Sequence, residues 1–332
     1  MKIGILGATG AVGRQMIKCL EESDLNVEEL RLFASASSQG KTISFNGNDI
    51  EIKDANENNL QGLDYVLGAV SNELSKKYYE LIKKTGAVYV DNSSAFRGDK
   101  NVPLVVPEIN GIDALKHKGI IANPNCSTII SLMAVAPINS LSRISSMVAT
   151  TFQAVSGAGN KGIEELEKQI EQIRNNEKTD PEVFVKQIAY NCVAQIGSYL
   201  DNDYTSEEMK MQNEGRKILH LDELLVSCTC VRVPVYRSHS ISIRVLCQEE
   251  LDLDKVKEAI ARFPGVKLFE DELPTPLDSS DQNQVFVGRI RKDLTDPKGI
   301  CLWCCGDQIR KGAAYNAVEI IEYLEKHKKG AL

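Results

Sequence analysis

Hydrophobic positions in the first third of the chain follow two alternating periods. Residues 2–6, KIGIL, are an apolar run of strand length, and in the following AVGRQMIKCLEE the residues Val12, Met16, Ile17 and Leu20 recur on one helix face. The same reading predicts strands at ELRLFAS, DYVLGAV, AVYVDNS and GIIANP, with a helix over SKKYYELIKKTG. Strands alternating with helices predict a parallel sheet covered on both faces.

After residue 125 the pattern changes. STIISLMAVAPINSLS is apolar all round, as in a buried helix, and SSMVATTFQAVSG reads as a strand. KGIEELEKQIEQIRNNEK reads as a long charged helix that the proline of TDPEVF ends. LLVSCTCVRVPV, SHSISIRVLC and QVFVGRIRKD alternate apolar with polar, the pattern of a mainly antiparallel sheet with one covered face. GAAYNAVEIIEYLEKHKKG is a final amphipathic helix. The expected organisation is an α/β domain over residues 1–125, an α+β domain over 126–307, and a helix near 308–328 that packs back on the first domain.

With 332 residues the chain has material for two cores, and 42% hydrophobic with 26% charged residues leaves no segment to assign to disorder. The net charge of -7 speaks against a nucleic-acid or anionic-membrane partner. The chain opens directly on a strand pattern, and no apolar run reaches membrane-spanning length, which reads as a cytoplasmic protein. Nine scattered cysteines then read as reduced thiols. Zinc is the alternative for Cys228/Cys230 and for Cys301, Cys304 and Cys305. However, Cys228 and Cys230 fall on one face of a strand, and the chain has only four histidines, so core packing is favoured over a metal.

Gly7-Ala8-Thr9-Gly10-Ala11-Val12-Gly13 follows a strand and opens a helix. Glycines there permit close backbone approach, and the helix N-terminus offers unpaired amides to a pyrophosphate, which predicts a Rossmann-like dinucleotide-binding domain. The end of the second strand lacks the acidic residue that usually holds the ribose hydroxyls of NAD. It offers Ser35, Ser37, Ser38 and Lys41 instead. Hydroxyls and a lysine suit the 2′-phosphate of NADP; a solvated serine loop is the plainer reading of any single serine.

IANPNCST places Cys126 at the start of the buried helix, where amides and the helix dipole favour a thiolate. A nucleophile also needs a proton partner. His117 and His220 sit in polar, exposed-looking segments and His327 in a lysine-rich helix, whereas His239 begins a strand in VPVYRSHSISIRV. Arg237, two residues before it, reads as a surface residue.

In chain order GATGAVG, DNSSAFR, VPEIN, NPNCST, TFQAVSGAG, EEMKMQNEGRKIL, VRVPVYRSHS and RKGAAYNAVEIIE span nearly the whole sequence, which resembles the aspartate-semialdehyde dehydrogenases. The resemblance implies NADPH-dependent reductive dephosphorylation of L-4-aspartyl phosphate to the semialdehyde, in lysine, threonine and methionine biosynthesis. It makes Cys126 the nucleophile, His239 the acid/base and Gln153 the residue that positions the acyl group. It assigns Arg232 to the substrate α-carboxylate, Glu207 to its ammonium, and Lys210 with Arg97 to phosphate, Asn92 assisting. Cofactor contacts are implied at Gly7, Thr9, Gly10, Ala11, Val12, Gly13, Ser35 and Ser38, and at Ser156, Gly157 and Asn316 for the nicotinamide half. A homodimer is implied, in keeping with the apolar strands of the second domain.

The pattern departs from the family at Ser37, where an arginine is common. That weakens the attraction to a 2′-phosphate unless Lys41 compensates, and leaves NAD use open. Two alternatives stand beside this reading. One is an enzyme like the N-acetyl-glutamyl-phosphate reductases, which carry a Pro-Gly-Cys-Tyr type of motif where this chain has NPNCST. The other is a non-catalytic dinucleotide-binding redox sensor.

Overall fold

The computed structural model describes residues 1–329. It falls into two compact units, Met1–Asn125 joined by the segment from Ala313 onward, and Cys126–Gly312.

The first unit is built on a seven-stranded sheet: β1 (Lys2–Leu6), β2 (Glu29–Phe33), β3 (Thr42–Phe45), β4 (Asn48–Lys53), β5 (Tyr65–Gly68), β6 (Val88–Asp91) and β7 (Ile120–Ala122). Their order is β3-β4-β2-β1-β5-β6-β7. All neighbours pair in parallel except β3 and β4, so the expectation of a wholly parallel sheet is corrected at this edge. The reason is local. Asn46 and Gly47 both have positive φ, 49° and 77°, which is the geometry of a tight hairpin turn. The strands it joins are short and mostly exposed, and leave almost no apolar signal.

Four helices join these strands: α1 (Ala11–Glu22), α2 (Glu57–Leu60), α3 (Asn72–Thr85) and α4 (Pro107–Asn110). The ends of α3 follow from its sequence. Ser71 caps it by accepting the Leu74 N–H, Glu73 lies in its first turn, Lys83 and Lys84 in its last, and Gly86 stops it in the left-handed region. The core joins Ile3, Ile5, Leu32, Leu67 and Val90 of the sheet to Met16 and Leu20 of α1. Ala317, Val318 and Ile321 of a C-terminal helix, Tyr315–Lys329, belong to the same core. A π-helical turn, Arg310–Ala314, precedes that helix.

The second unit begins with α5 (Cys126–Leu141), followed by β8 (Ile144–Gln153), α6 (Asn160–Arg174), α7 (Ser206–Leu219), β9 (Leu225–Arg232) and β10 (His239–Cys247). Then come α8 (Leu253–Arg262), β11 (Val266–Phe269), α9 (Pro276–Ser279), β12 (Val285–Lys292) and β13 (Gly299–Gly306). Every residue from Ser127 to Ile138 of α5 is buried, because the helix lies against β8, β10, β12 and β13 and against α7 and α8. The sheet order is β11-β12-β13-β10-β8-β9. Three pairings are antiparallel and two, β8–β9 and β11–β12, are parallel, so the sheet is mixed. Although β9 and β10 are consecutive in sequence, they do not form a hairpin; β8 lies between them. The long excursion through α6 and α7 returns the chain to the end where β8 started, as a parallel pair requires. Among the described residues no helix is long and apolar enough to cross a membrane.

Candidate active site

In the first unit the chain passes from β1 into α1 through a turn pinned to the end of β2. The amides of Gly7 and Ala8 both donate to the Phe33 carbonyl, at 2.9 and 3.1 Å. No side chain caps α1, and its first turn carries no acidic residue. Its N-terminal amides therefore suit an anion. A Cβ at Gly13 would lie 2.2 Å from the Gly7 carbonyl oxygen, so only glycine lets the helix close this tightly on the turn. Gly13→Ala is expected to weaken dinucleotide binding by at least about tenfold, since it must push the turn and helix apart. Titration of the cofactor against the variant checks this, and unchanged affinity would dissociate the turn from the cofactor.

A cavity of about 440 Å³ opens on the turn, and Gly7, Thr9, Gly10 and Ser35 are among its lining residues, none of which is acidic. Ala11, Val12 and Gly13 form the first turn of the helix behind it. Ser38 closes a small turn by donating its N–H to Ser35, and the Ser35 and Ser37 hydroxyls lie 3.0 Å apart. This arrangement fits a dinucleotide.

Asn92 and Arg97 lie beyond the end of β6. Arg97 donates to the carbonyls of Asn123 at 2.9 Å and Asn92 at 2.7 Å. The Asn92 side-chain oxygen in turn accepts from Asn123. Asn316 is fully buried and donates to the Val105 carbonyl and to the Asn123 side chain, at 3.0 and 2.6 Å. It does not line the dinucleotide cavity. Asn123, invisible to motif reading except as the first letter of NPNCST, joins these residues.

The second unit brings Cys126, Gln153, Glu207, Lys210, Arg232 and His239 together by strand direction. Because β8 and β9 run parallel, their last residues Gln153 and Arg232 are register partners. The antiparallel β10 starts at that same edge with His239. Cys126 opens α5 there, and its Sγ is 3.4 Å from His239 Nε2 although 113 residues separate them. Gln153 accepts from the Thr151 hydroxyl at 2.9 Å and donates to Glu207 at 3.4 Å. Glu207 also pairs with Lys210 at 2.7 Å. Their three-residue spacing on α7 does place them on one face, but this pair is partly buried and joined to the Gln153 side chain.

His239 is fully buried. Burial, and next the nearby Arg232 charge, push its pKa from 6.5 down to about 3, with Glu207 opposing. The ring is therefore neutral near pH 7. The Ala154 N–H donates to Nδ1 at 3.1 Å, so the single ring proton resides on Nε2 and points at the sulfur. Burial also lowers the pKa of Arg232, whose Nη1 donates to the Ala154 carbonyl at 2.6 Å. Ser156 and Gly157 lie on the turn between: a Cβ at Gly157 would be 2.7 Å from Arg232 Nη1 and 3.6 Å from His239 Nε2.

Several residues were missed by sequence reading or misplaced by it. Arg237 is not a free surface residue, because it bridges Asp281 at 3.0 Å and the fully buried Asp307 at 2.7 Å. Gln308 accepts the Ser238 N–H at 2.8 Å and donates to the Ser156 hydroxyl, bracing the segment that carries His239. Ser238 needs bracing, since its φ of 71° lies in the left-handed region. The only signal for these residues is the polar run Gly306-Asp307-Gln308 after an apolar strand. His117 is half-buried, its Nδ1 accepting from Gly119, whereas His220 is exposed.

The other thiols have different surroundings. Cys228 and Cys230 point the same way, with sulfurs 3.8 Å apart in the interior. That contact, and then burial, raise the pKa of Cys228. Burial raises those of Cys247, Cys301 and Cys304 and pushes Cys305 up to about 11.

Comparison with known proteins identifies the family. Residues 2–117 match the semialdehyde dehydrogenase NAD binding domain and residues 135–311 the semialdehyde dehydrogenase dimerisation domain. The chain is 41% identical to the aspartate-semialdehyde dehydrogenase of Bacillus subtilis, with 98% of each chain covered. It is 44% identical to that of Synechocystis, covering 98% of this chain and 97% of the relative. Among solved structures, aspartate semialdehyde dehydrogenase II of Vibrio cholerae, complexed with ASA, superposes with a TM-score of 0.96 at 40% identity over 98% of both chains. With both domains matched and relatives alike over their full length, the chain belongs to the aspartate-semialdehyde dehydrogenase family.

Proposed function

We propose that the chain reduces L-4-aspartyl phosphate to aspartate semialdehyde and phosphate, reversibly, through a thioester on Cys126. The observation that carries this reading is the 3.4 Å approach of Cys126 Sγ to a neutral His239 Nε2 at the N-terminus of a buried helix. In the reductive direction the Cys126 thiolate attacks the acyl carbon and phosphate leaves. NADPH, when bound, would supply the hydride. His239 shares its Nε2 proton with the developing alkoxide and recovers it as the thiohemiacetal collapses, releasing aldehyde and thiolate.

Gln153, held by Thr151 and Glu207, positions the acyl group. Arg232 takes the α-carboxylate, for which a planar fork of donors is suited, and Glu207 takes the ammonium. Lys210, bound to Glu207 and still 30% exposed, is a phosphate ligand with Arg97, and Asn92 assists through the contacts that fix Arg97. Asn316 is read as a support of the cofactor region, and Ser156 and Gly157 as its nicotinamide-side neighbours. The non-acidic cavity, with Ser35 in its lining and Ser37 and Ser38 on the turn beside it, supports NADP over NAD. We read the protein as a cytoplasmic homodimer, a state supported by the dimerisation-domain match.

The test is aldehyde oxidation with NADP and NAD in parallel. Cofactor reduction is expected only when aspartate semialdehyde and inorganic phosphate are both present, and faster with NADP. Reduction with N-acetyl-glutamate semialdehyde in its place would move the chain to the other substrate class.

A further inference from the structure

We propose that Phe184, held in place by Glu165, caps the Arg232 guanidinium and thereby sets the affinity of the site for a carboxylate-bearing aldehyde. This rests on the reading of Arg232 as the carboxylate ligand and extends it to residues outside every motif.

Between α6 and α7 the chain runs from residue 175 to 205 without a helix or a strand. Such a segment is ordered only by specific contacts. Two side chains of α6 supply them. Glu165, 6% exposed, accepts the N–H groups of Glu182 at 3.0 Å, of Val183, and of Phe184 at 3.4 Å, together with the Gln169 amide at 3.0 Å. Gln169, fully buried, accepts the N–H groups of Ile188 at 2.8 Å and Ala189 at 3.1 Å. A buried carboxylate ringed by amide donors is a strong, directional anchor. Further along, Val193 and Arg232 exchange both backbone bonds, at 2.9 and 2.8 Å, so the segment is fastened to the end of β9 as well.

Phe184 lies between these fastenings. Its ring packs with Ile163, Ile170 and Ile173 against the small core of Leu166 and Ile188, and the Arg232 guanidinium carbon lies over it, 5.7 Å from the ring centroid. The ring stabilises the cation by a cation–π contact, and it limits the directions in which the guanidinium can point. With Nη1 on the Ala154 carbonyl and Gly157 too close to admit a side chain, Arg232 is held on three sides. What remains open is the direction in which a substrate carboxylate is bound. Phe184 and Glu165 are therefore positioning residues.

Steady-state kinetics of Phe184→Leu, Phe184→Tyr, Glu165→Gln and Arg232→Lys test this. Phe184→Leu keeps an apolar side chain packed against α6 but removes the ring face. It is expected to raise the KM for aspartate semialdehyde about 3- to 30-fold, with kcat and the KM values for NADP and phosphate within about twofold. Phe184→Tyr should restore the KM. Glu165→Gln should reproduce the Phe184→Leu effect, because it turns one acceptor facing backbone amides into a donor. An aldehyde without a carboxylate should show no KM change in any of the three variants. If Arg232→Lys leaves the semialdehyde KM unmoved, the reading of Arg232 itself is lost. If Arg232→Lys raises that KM and Phe184→Leu does not, the capping role is overturned. An equal fall of Tm, kcat and all affinities in Phe184→Leu overturns it too, as mere scaffolding.

Discussion

Cys126→Ser is expected to lower turnover on the order of 10⁴-fold or more while cofactor affinity and thermal stability stay near those of the parent protein. The exchange of sulfur for oxygen keeps the side chain's shape at the first turn of α5. It replaces a thiol by a far less acidic and less nucleophilic hydroxyl, so the hydrogen bond from His239 remains but the nucleophile is lost. The parent protein treated with a substrate-like electrophile should gain mass at Cys126, and the variant should gain none there. Full activity in the serine variant would refute the assignment. Labelling spread over several thiols would point instead to a redox sensor.

His239→Asn is expected to cost turnover about 10²- to 10⁴-fold, since proton handling at the alkoxide depends on a single ring proton. It has a second signature, in stability. The folded protein holds this imidazole neutral down to about pH 3, whereas in the unfolded chain it takes up a proton near pH 6.5. As pH falls from 6.5 towards 3 the unfolded state therefore binds the extra proton and the folded state does not. Stability is lost through that window, by up to several kcal/mol at its acid end. The asparagine variant lacks this contribution, so its unfolding free energy should fall less steeply between pH 6.5 and 4. Parallel slopes in denaturant titrations across that range would mean that the ring is not held neutral.

The readable parts of the chain were those in which local pattern and global arrangement coincide. The β1–turn–α1 unit announces itself through an apolar run, glycines and a helical period within 22 residues, and α5 through apolar residues on all its faces. The partnering of Cys126 with His239 came from family resemblance, because no local signal connects positions so far apart. Sheet order was not legible. The β9–β10 link looks like a hairpin, and the parallel pairing of β9 with β8 depends on where a long excursion returns. The roles of polar residues in α6 were hidden for a different reason. EELEKQ has the composition of a solvated helix surface, and nothing in it distinguishes Glu165, which the following segment covers, from Glu164 and Glu167. Arg237 was misplaced in the same way, since its buried partner Asp307 lies 70 residues further on.

The parallel pairing of β8 with β9 also bears on how the protein folds. Ala154 and Arg232 are 78 residues apart, Ala154 and His239 are 85 apart, and Cys126 and His239 are 113 apart. Each contact closes a long loop whose entropy must be lost before the contact contributes anything. Topologies dominated by such distant pairings fold slowly. The approach of Cys126 to His239 cannot form on a chain still being synthesised until β10 has emerged. The paired thiol and imidazole are thus absent from chains in which this closure has not yet been made. Recovery of catalysis during refolding would mark the last long-range closure in Cys126–Gly312 rather than the first collapse.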